Sequence, residues 1–296
     1  MSKLNVEALF HKGSWTCTFI AYHEDTKDAV VIDSVVDLDT VNWQTSLEHN
    51  TLILDFIRSK DLKVHYVMDT HVHADHITGG PHLSKVLQVP FCIGANITAV
   101  QKNFAKLFHL PEFVCDGSQF GKLLQDNEVL QAGSLTITCW NTPGHTPACM
   151  SYLIDDAVFT GDALFMEDYG CGRCDFPGGS ATKLYESVQR LYTLPDTTRV
   201  FVGHDYMPDG RELMYQTTIG SQKTNQCVIP HSKTKEEFVK WREEVDQDLD
   251  YPRLIFPALY CNMNGGFLPE EESNGMRYIK IPLNSKKPTN ALSEQQ

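Results

Sequence analysis

Thr70-His71-Val72-His73-Ala74-Asp75-His76 places three imidazoles and one carboxylate within the six residues from His71 to His76. Histidine is the commonest side-chain metal ligand, and carboxylates join it at catalytic zinc and iron sites. In an extended stretch His71 and His73 point to the same side, and a turn after them lets Asp75 and His76 converge on a neighbouring point. A polar capping loop would not need that density of metal-type side chains. His145 follows Pro143-Gly144, where the glycine permits a tight approach and Thr146 is placed to orient the imidazole. Alone, such a histidine would be structural; beside the first motif it becomes a candidate ligand. Asp162, after Gly161, reads the same way, since an aspartate after an apolar strand is often only a turn former. His204, in Gly203-His204-Asp205, either binds metal or stands beside it.

Residues so far apart in sequence need a scaffold that delivers them to one edge. Residues 64–68 read as a strand running straight into the His-rich loop, and 135–140, 157–160 and 199–202 as strands ending at His145, Asp162 and His204. Loops at one edge of a strand-built scaffold are where such sites are assembled. Residues 18–22 and 29–32 read as a strand pair, with 23–28 as the turn. A helix is expected over 52–59, and another opening at Gly79-Gly80-Pro81, where proline suits a first turn. Ser180 caps a helix with the apolar stripe Leu184, Val188 and Leu191, and Thr234 with Glu237 forms a capping box before a charged helix to about Gln247. A mixed α/β sandwich of two sheets with outer helices fits this count and order of elements.

Composition narrows the partners. The chain has 296 residues and a formal net charge of −13. That charge argues against nucleic acid, whose binders carry basic stripes. No apolar run is long enough to span a membrane. The first ten residues lack a basic region followed by an apolar one, so no signal peptide is expected and the cytoplasm is the expected location. The nine cysteines are scattered and odd in number, as expected of buried thiols in a reducing compartment. Cys171 and Cys174 form a C-x-x-C, but without a second pair it is no structural zinc site, and a redox role would need an acidified thiol.

His71-x-His73-x-Asp75-His76, then His145, Asp162 and His204, resembles the metallo-β-lactamase superfamily in order and type. The resemblance implies an αββα sandwich: two mixed β-sheets with outer helices. Full occupancy would give a dinuclear zinc hydrolase with His71, His73 and His145 at one metal, Asp75, His76 and His204 at the other, and Asp162 bridging. Gly170-Cys171-Gly172-Arg173-Cys174-Asp175-Phe176 and Phe256-Pro257-Ala258 to Asn262 resemble the persulfide dioxygenase family related to the ethylmalonic encephalopathy protein. Val100-Gln101 to Phe108, Asp116-Gly117-Ser118-Gln119-Phe120 and the stretch from Gly275 to Leu283 resemble its bacterial β-lactamase-like hydrolase (Blh) branch in particular.

That family implies one Fe(II) per chain, held by His71, His145 and Asp162 alone, with zinc as a substitute. His73, Asp75, His76 and His204 would then hold ligands and waters in place. The implied reaction converts glutathione persulfide, O2 and water to glutathione and sulfite. The alternative within the fold is a dinuclear zinc thioester hydrolase of the glyoxalase II kind. Arg173 is implied as the holder of a glutathione carboxylate, against a bland reading as a surface arginine paired with Asp175. Tyr206, beside His204, is a candidate to face the pocket. Residues 1–230 are expected to form the catalytic domain and 231–296 a C-terminal extension packed on it, its last ten residues disordered. A sulfurtransferase partner and a homodimer are further expectations.

Overall fold

The computed structural model describes residues 3–224 and 227–284. It opens with strands β1 (Leu4–His11), β2 (Thr16–His23), β3 (Asp28–Ile32), β4 (Val35–Asp39) and β5 (Gln44–Ser46), then helix α1 (Glu48–Ser59) and strand β6 (Lys63–Met68). Strand β7 (Ile77–Thr78), α2 (Gly80–Leu87), β8 (Phe91–Gly94), α3 (Ile97–Leu107) and β9 (Lys122–Leu124) complete the first half. The second half runs β10 (Val129–Ala132), β11 (Leu135–Asn141), β12 (Met150–Ile154), β13 (Ala157–Gly161), α4 (Ala181–Leu191), β14 (Arg199–Val202), β15 (Gln216–Thr218), α5 (Ile219–Gln222), α6 (Lys235–Gln247) and α7 (Ile255–Asn262).

Two six-stranded sheets result, ordered β1-β2-β3-β6-β8-β9 and β10-β11-β12-β13-β14-β15, with a small β5-β4-β7 sheet beside them. Both large sheets are mixed. Antiparallel pairs β1–β2 and β2–β3 lead into parallel pairs β3–β6, β6–β8 and β8–β9, while β13–β14 is the parallel pair of the second sheet. The inner faces meet in a core that includes Phe19, Ile32, Met68, Ile137, Tyr152, Phe159 and Phe201. Ile53 of α1, Leu83 of α2, Val100 and Phe104 of α3 cover the outer face of the first sheet. Leu184, Val188 and Leu191 of α4 cover the second. This is the αββα sandwich. Burying both faces of a strand explains why β2 and β3 read as nearly continuous apolar runs rather than as alternation.

The expected caps form: Ser180 Oγ accepts from the Lys183 N–H at 3.3 Å, and Thr234 with Glu237 makes the reciprocal box. The expected helix over 52–59 starts earlier, at Glu48. Helix α7 was not legible, because Pro257 sits inside a run of only eight residues; as the third helical residue it removes an N–H that the first turn leaves unpaired anyway. Phe238 of α6 joins the α4 core, and Ile255, Leu259 and Met263 join the α1–α3 core, so helices α6 and α7 pack on the sandwich. The last ten residues lie outside the described residues. Among the described residues no helix is long and apolar enough to cross a membrane.

Candidate metal centre

The carboxyl ends of β6, β11, β13 and β14 meet at one edge of the sandwich, and each delivers its metal-type residue there. His71, His145 and Asp162 bring one ligand atom each to within 4.8 Å of one another, all three side chains buried. Asp162 Oδ2 lies 3.7 Å from His71 Nε2 and 3.5 Å from His145 Nε2.

Each ring is held so that Nε2 keeps its lone pair. Asp33 Oδ2 accepts from the Thr70 hydroxyl at 2.8 Å, which leaves Thr70 Oγ1 to accept from His71 Nδ1–H at 3.0 Å. Asp33 Oδ1 also accepts from the Thr70 backbone N–H at 2.7 Å. His145 Nδ1 lies 2.6 Å from the Arg173 carbonyl oxygen, which can only accept. The proton therefore sits on Nδ1, and Nε2 is free. Fixing the tautomer through the far nitrogen is the usual device at a metal-binding histidine. Thr146 does not orient His145, contrary to the sequence-based expectation; its hydroxyl engages Cys149 Sγ at 3.1 Å and accepts from the Ala148 N–H at 3.2 Å. Gly144 is needed, at φ 147°, because a Cβ there would lie 2.4 Å from the Leu184 Cα.

A second group, His73, Asp75 and His204, also brings its ligand atoms within 4.8 Å of one another. His73 thus falls with Asp75 and His204, whereas full dinuclear occupancy would put it with His71 and His145. The His73 ring does lie beside His71, 4.2 Å between centroids, but its Nε2 is engaged by Asp33 Oδ1 at 3.1 Å. Burial opposes charge on His73, but the Asp33 carboxylate outweighs it and pushes the imidazole up to about 10. Burial, then the neighbouring His73 charge, holds His71 well below the ordinary histidine value and pushes His76 down to about 3. His76 belongs to neither group; its Nδ1 donates to the Ile77 carbonyl at 3.1 Å. His204 Nδ1 donates to the Trp15 carbonyl at 3.3 Å, and its Nε2 lies 3.4 Å from Asp162 Oδ1.

The donor set fits a cation. Asp162 Oδ1, His76 Nε2 and His73 Nδ1 are buried without a hydrogen-bond partner among the described residues. A buried polar atom left unpaired costs about 1–3 kcal/mol, more for a charged one. Asp162 Oδ1, a buried carboxylate oxygen left unpaired beside two histidines with free Nε2, is the atom of the three that a metal ion at His71, His145 and Asp162 would satisfy.

A cleft of about 620 Å³ opens onto His145, Asp162 and His204. Aromatic side chains form one wall: Tyr206 stacks on His204 at 5.6 Å between ring centroids and on Tyr169 at 4.8 Å, with Phe165 and Trp15 close by. Tyr206 lines this cleft, about one third exposed. Arg173 lines it too, but its guanidinium is already engaged. Nε and Nη2 pair with Asp175 at 2.5 and 2.6 Å, and Nη1 donates to the Asp250 carbonyl at 2.6 Å. Of the five N–H donors of an arginine, two remain for a ligand. All nine cysteines are free, and burial pushes the Cys171 thiol up to about 11, which opposes a thiolate role.

Sequence reasoning missed Asp33 and left Asn262 without a role. Asn262 Nδ2 donates to the His73 and His76 carbonyls, each at 2.8 Å, and its Oδ1 accepts from the Thr78 N–H at 2.9 Å. Asp33 carried a signal: it too follows a buried strand, as Asp162 does.

Residues 14–204 match the family model described as the metallo-beta-lactamase superfamily, and the chain belongs to that superfamily of metal-dependent enzymes. Among curated relatives, "Glyoxylase B2" of Dictyostelium discoideum is 41% identical, the match covering 96% of this chain and 98% of that one. The "Beta-lactamase hydrolase-like protein" of Agrobacterium fabrum is 38% identical over 94% of this chain but only 64% of its own length. "Persulfide dioxygenase ETHE1, mitochondrial" of Bos taurus is 30% identical over 87% of each chain. The crystal structure of ETHE1 from Myxococcus xanthus superposes with a TM-score of 0.70 at 33% identity, covering 89% of this chain and all of that one.

Proposed function

We propose that the chain is a persulfide dioxygenase that oxidises glutathione persulfide with O2 to glutathione and sulfite at one ferrous iron. The observation that carries this reading is the convergence of His71 Nε2, His145 Nε2 and Asp162 Oδ2, the last two residues lining the cleft. Two histidines and a carboxylate are the ligand set of non-haem ferrous oxygenases, and three protein ligands leave positions open. Iron held there would supply a meeting point for the persulfide sulfur and dioxygen and the electrons that zinc lacks. The similarity to proteins named persulfide dioxygenase and ETHE1 supports the same choice.

The chain's own residues do the rest. The Arg173 carbonyl and the Asp33–Thr70 pair hold the two imidazoles in the tautomer a metal needs. The wall of Trp15, Phe165, Tyr169 and Tyr206 offers the bound persulfide an aromatic face. The two free N–H groups of Arg173 offer a carboxylate of glutathione a charge-assisted contact. Overall, glutathione persulfide, dioxygen and water give glutathione, sulfite and two protons. A sulfurtransferase is the class of partner that would deliver such a persulfide.

A second reading, a dinuclear zinc thioester hydrolase, is favoured by one observation, the second group of His73, Asp75 and His204. The name of the Dictyostelium relative points the same way. Asp33 faces His73 Nε2 and leaves Nδ1 as the atom that would meet such a metal, with release of the second ring proton. The test is sulfite formation from glutathione persulfide by protein reconstituted anaerobically with ferrous iron. Sulfite in step with turnover supports the dioxygenase; none, with S-lactoylglutathione cleaved by the zinc form, supports the hydrolase.

A further inference from the structure

The C-x-x-C of Cys171 and Cys174 is used through its backbone. Helix α6 lies beyond residue 204, where the family match ends, yet it reaches the loop that closes over the metal centre. Arg242 and Asp246, one turn apart on α6, are 3% and 5% exposed and pair at 2.7 Å. Arg242 Nη1 donates to the Cys171 carbonyl at 3.1 Å, and Asp246 Oδ2 accepts from the Cys174 N–H at 2.8 Å. The two residues between those grips make the contacts that matter. Gly172 N–H donates to the Asp162 carbonyl at 2.8 Å, and Gly172 lies so close to the site that a Cβ would sit 2.7 Å from that oxygen and 3.2 Å from His145 Cγ. Arg173 presents the carbonyl that takes the His145 Nδ1 proton at 2.6 Å.

The structure assigns the buried Arg242–Asp246 pair as a positioning device for the metal centre, gripping both ends of residues 171–174 so that the Arg173 carbonyl fixes His145 with its Nε2 free. Neither residue touches the metal position; they act through the loop. A buried ion pair is a costly way to gain stability, because desolvating two charges offsets most of their attraction, and well-packed apolar residues often serve as well. Here the pair binds two backbone groups that no apolar side chain could bind. Loss of such a supporting contact typically weakens metal binding 10–100-fold.

The assignment rests on a metal at His71, His145 and Asp162, but not on which reaction that metal serves. The test uses the whole apo chain and zinc as the probe, with Kd measured by chelator competition. The double variant Arg242→Met/Asp246→Val comes close to the volume of the pair with apolar groups and removes its grip. Expected are zinc binding at least about tenfold weaker than wild type, a lowered apo melting temperature because two buried backbone groups lose their partners, and loss of the slowly exchanging His145 Nδ1–H signal in the NMR spectrum. Leu191→Ala, which loosens the same core without touching the loop, should keep both the signal and the affinity. If the double variant does not fold, Arg242→Lys, which preserves the charge but not the planar fork, takes its place, with a smaller weakening and the same faster exchange. Unchanged zinc affinity in a folded variant, an intact His145 signal, or an equal loss in Leu191→Ala would each overturn the assignment. Wild-type protein that binds no zinc at these three residues would instead overturn the metal reading itself.

Discussion

His145 donates its Nδ1 proton to the backbone carbonyl of Arg173, 2.6 Å away, so the residue whose side chain lines the cleft also fixes a candidate metal ligand through its main chain. The two roles separate cleanly on mutation, because a substitution changes the guanidinium and leaves the carbonyl.

Arg173→Ala should therefore raise KM for glutathione persulfide while leaving metal content at the wild-type level. A charge-assisted contact of this kind is worth about 1.5–3 kcal/mol when desolvated. Asp175, which now pairs with the guanidinium, loses its partner in the same variant, so Asp175→Asn serves as the control. Steady-state kinetics and metal analysis check both points; an unaltered kcat/KM would show that the guanidinium does not touch the substrate.

The three ligands should be indispensable. His71→Ala, His145→Ala and Asp162→Ala are each expected to lose most bound metal, whereas His73→Ala and His204→Ala retain much of it. Metal analysis of the five purified proteins reads this directly. Equal loss in all five would revive the dinuclear arrangement.

Metal stoichiometry should depend on pH. The Asp33 carboxylate holds the His73 proton with a value of about 10, well above the ordinary histidine value. A group raised in this way keeps its proton through neutral pH and gives it up only as pH climbs towards that value. A second zinc at His73 must release that proton, so its affinity should strengthen as pH rises from about 6 to about 8, read by chelator competition. In His73→Gln the second equivalent should be absent throughout. A second affinity that does not change with pH would contradict this.

Asn262→Ala should destabilise the fold and loosen the His-rich loop. It leaves the buried His73 and His76 carbonyls and the Thr78 N–H without their partner. At about 1–3 kcal/mol for each orphaned group, partly relieved by water, a loss of roughly 2–4 kcal/mol is expected. Denaturant unfolding of the apo protein measures it; a change under about 0.5 kcal/mol would mean that water replaces the amide fully.

Much of this site could be read from the chain. His71, His145 and Asp162 each follow an apolar strand, and burial of that strand forces the next polar residue to the sheet edge. The density of residues 71–76 made the metal legible before any geometry. What could not be read depends on distant backbone. Nothing in sequence tells that the Arg173 carbonyl, not Thr146, orients His145, or that Asn262 pins the His73 and His76 carbonyls. The pairing of His73 with Asp33 was hidden for the same reason: the His73 ring lies beside His71 as the spacing implies, but the carboxylate that engages its Nε2 comes from a different strand. Strands ending in Asp33 and Asp162 look alike in sequence; only the fold places one at the metal and the other behind a ligand.

The claim that matters most is redox chemistry at a single iron, and an oxygen electrode tests it most directly. Protein loaded anaerobically with ferrous iron is mixed with air-saturated buffer, and glutathione persulfide is then added. The account predicts oxygen uptake that starts with persulfide, is lost in Asp162→Ala, and is absent from the zinc-loaded protein, which also leaves S-lactoylglutathione uncleaved. Iron-loaded protein that leaves dioxygen untouched in the presence of persulfide, or a zinc form that hydrolyses the thioester efficiently, would contradict it.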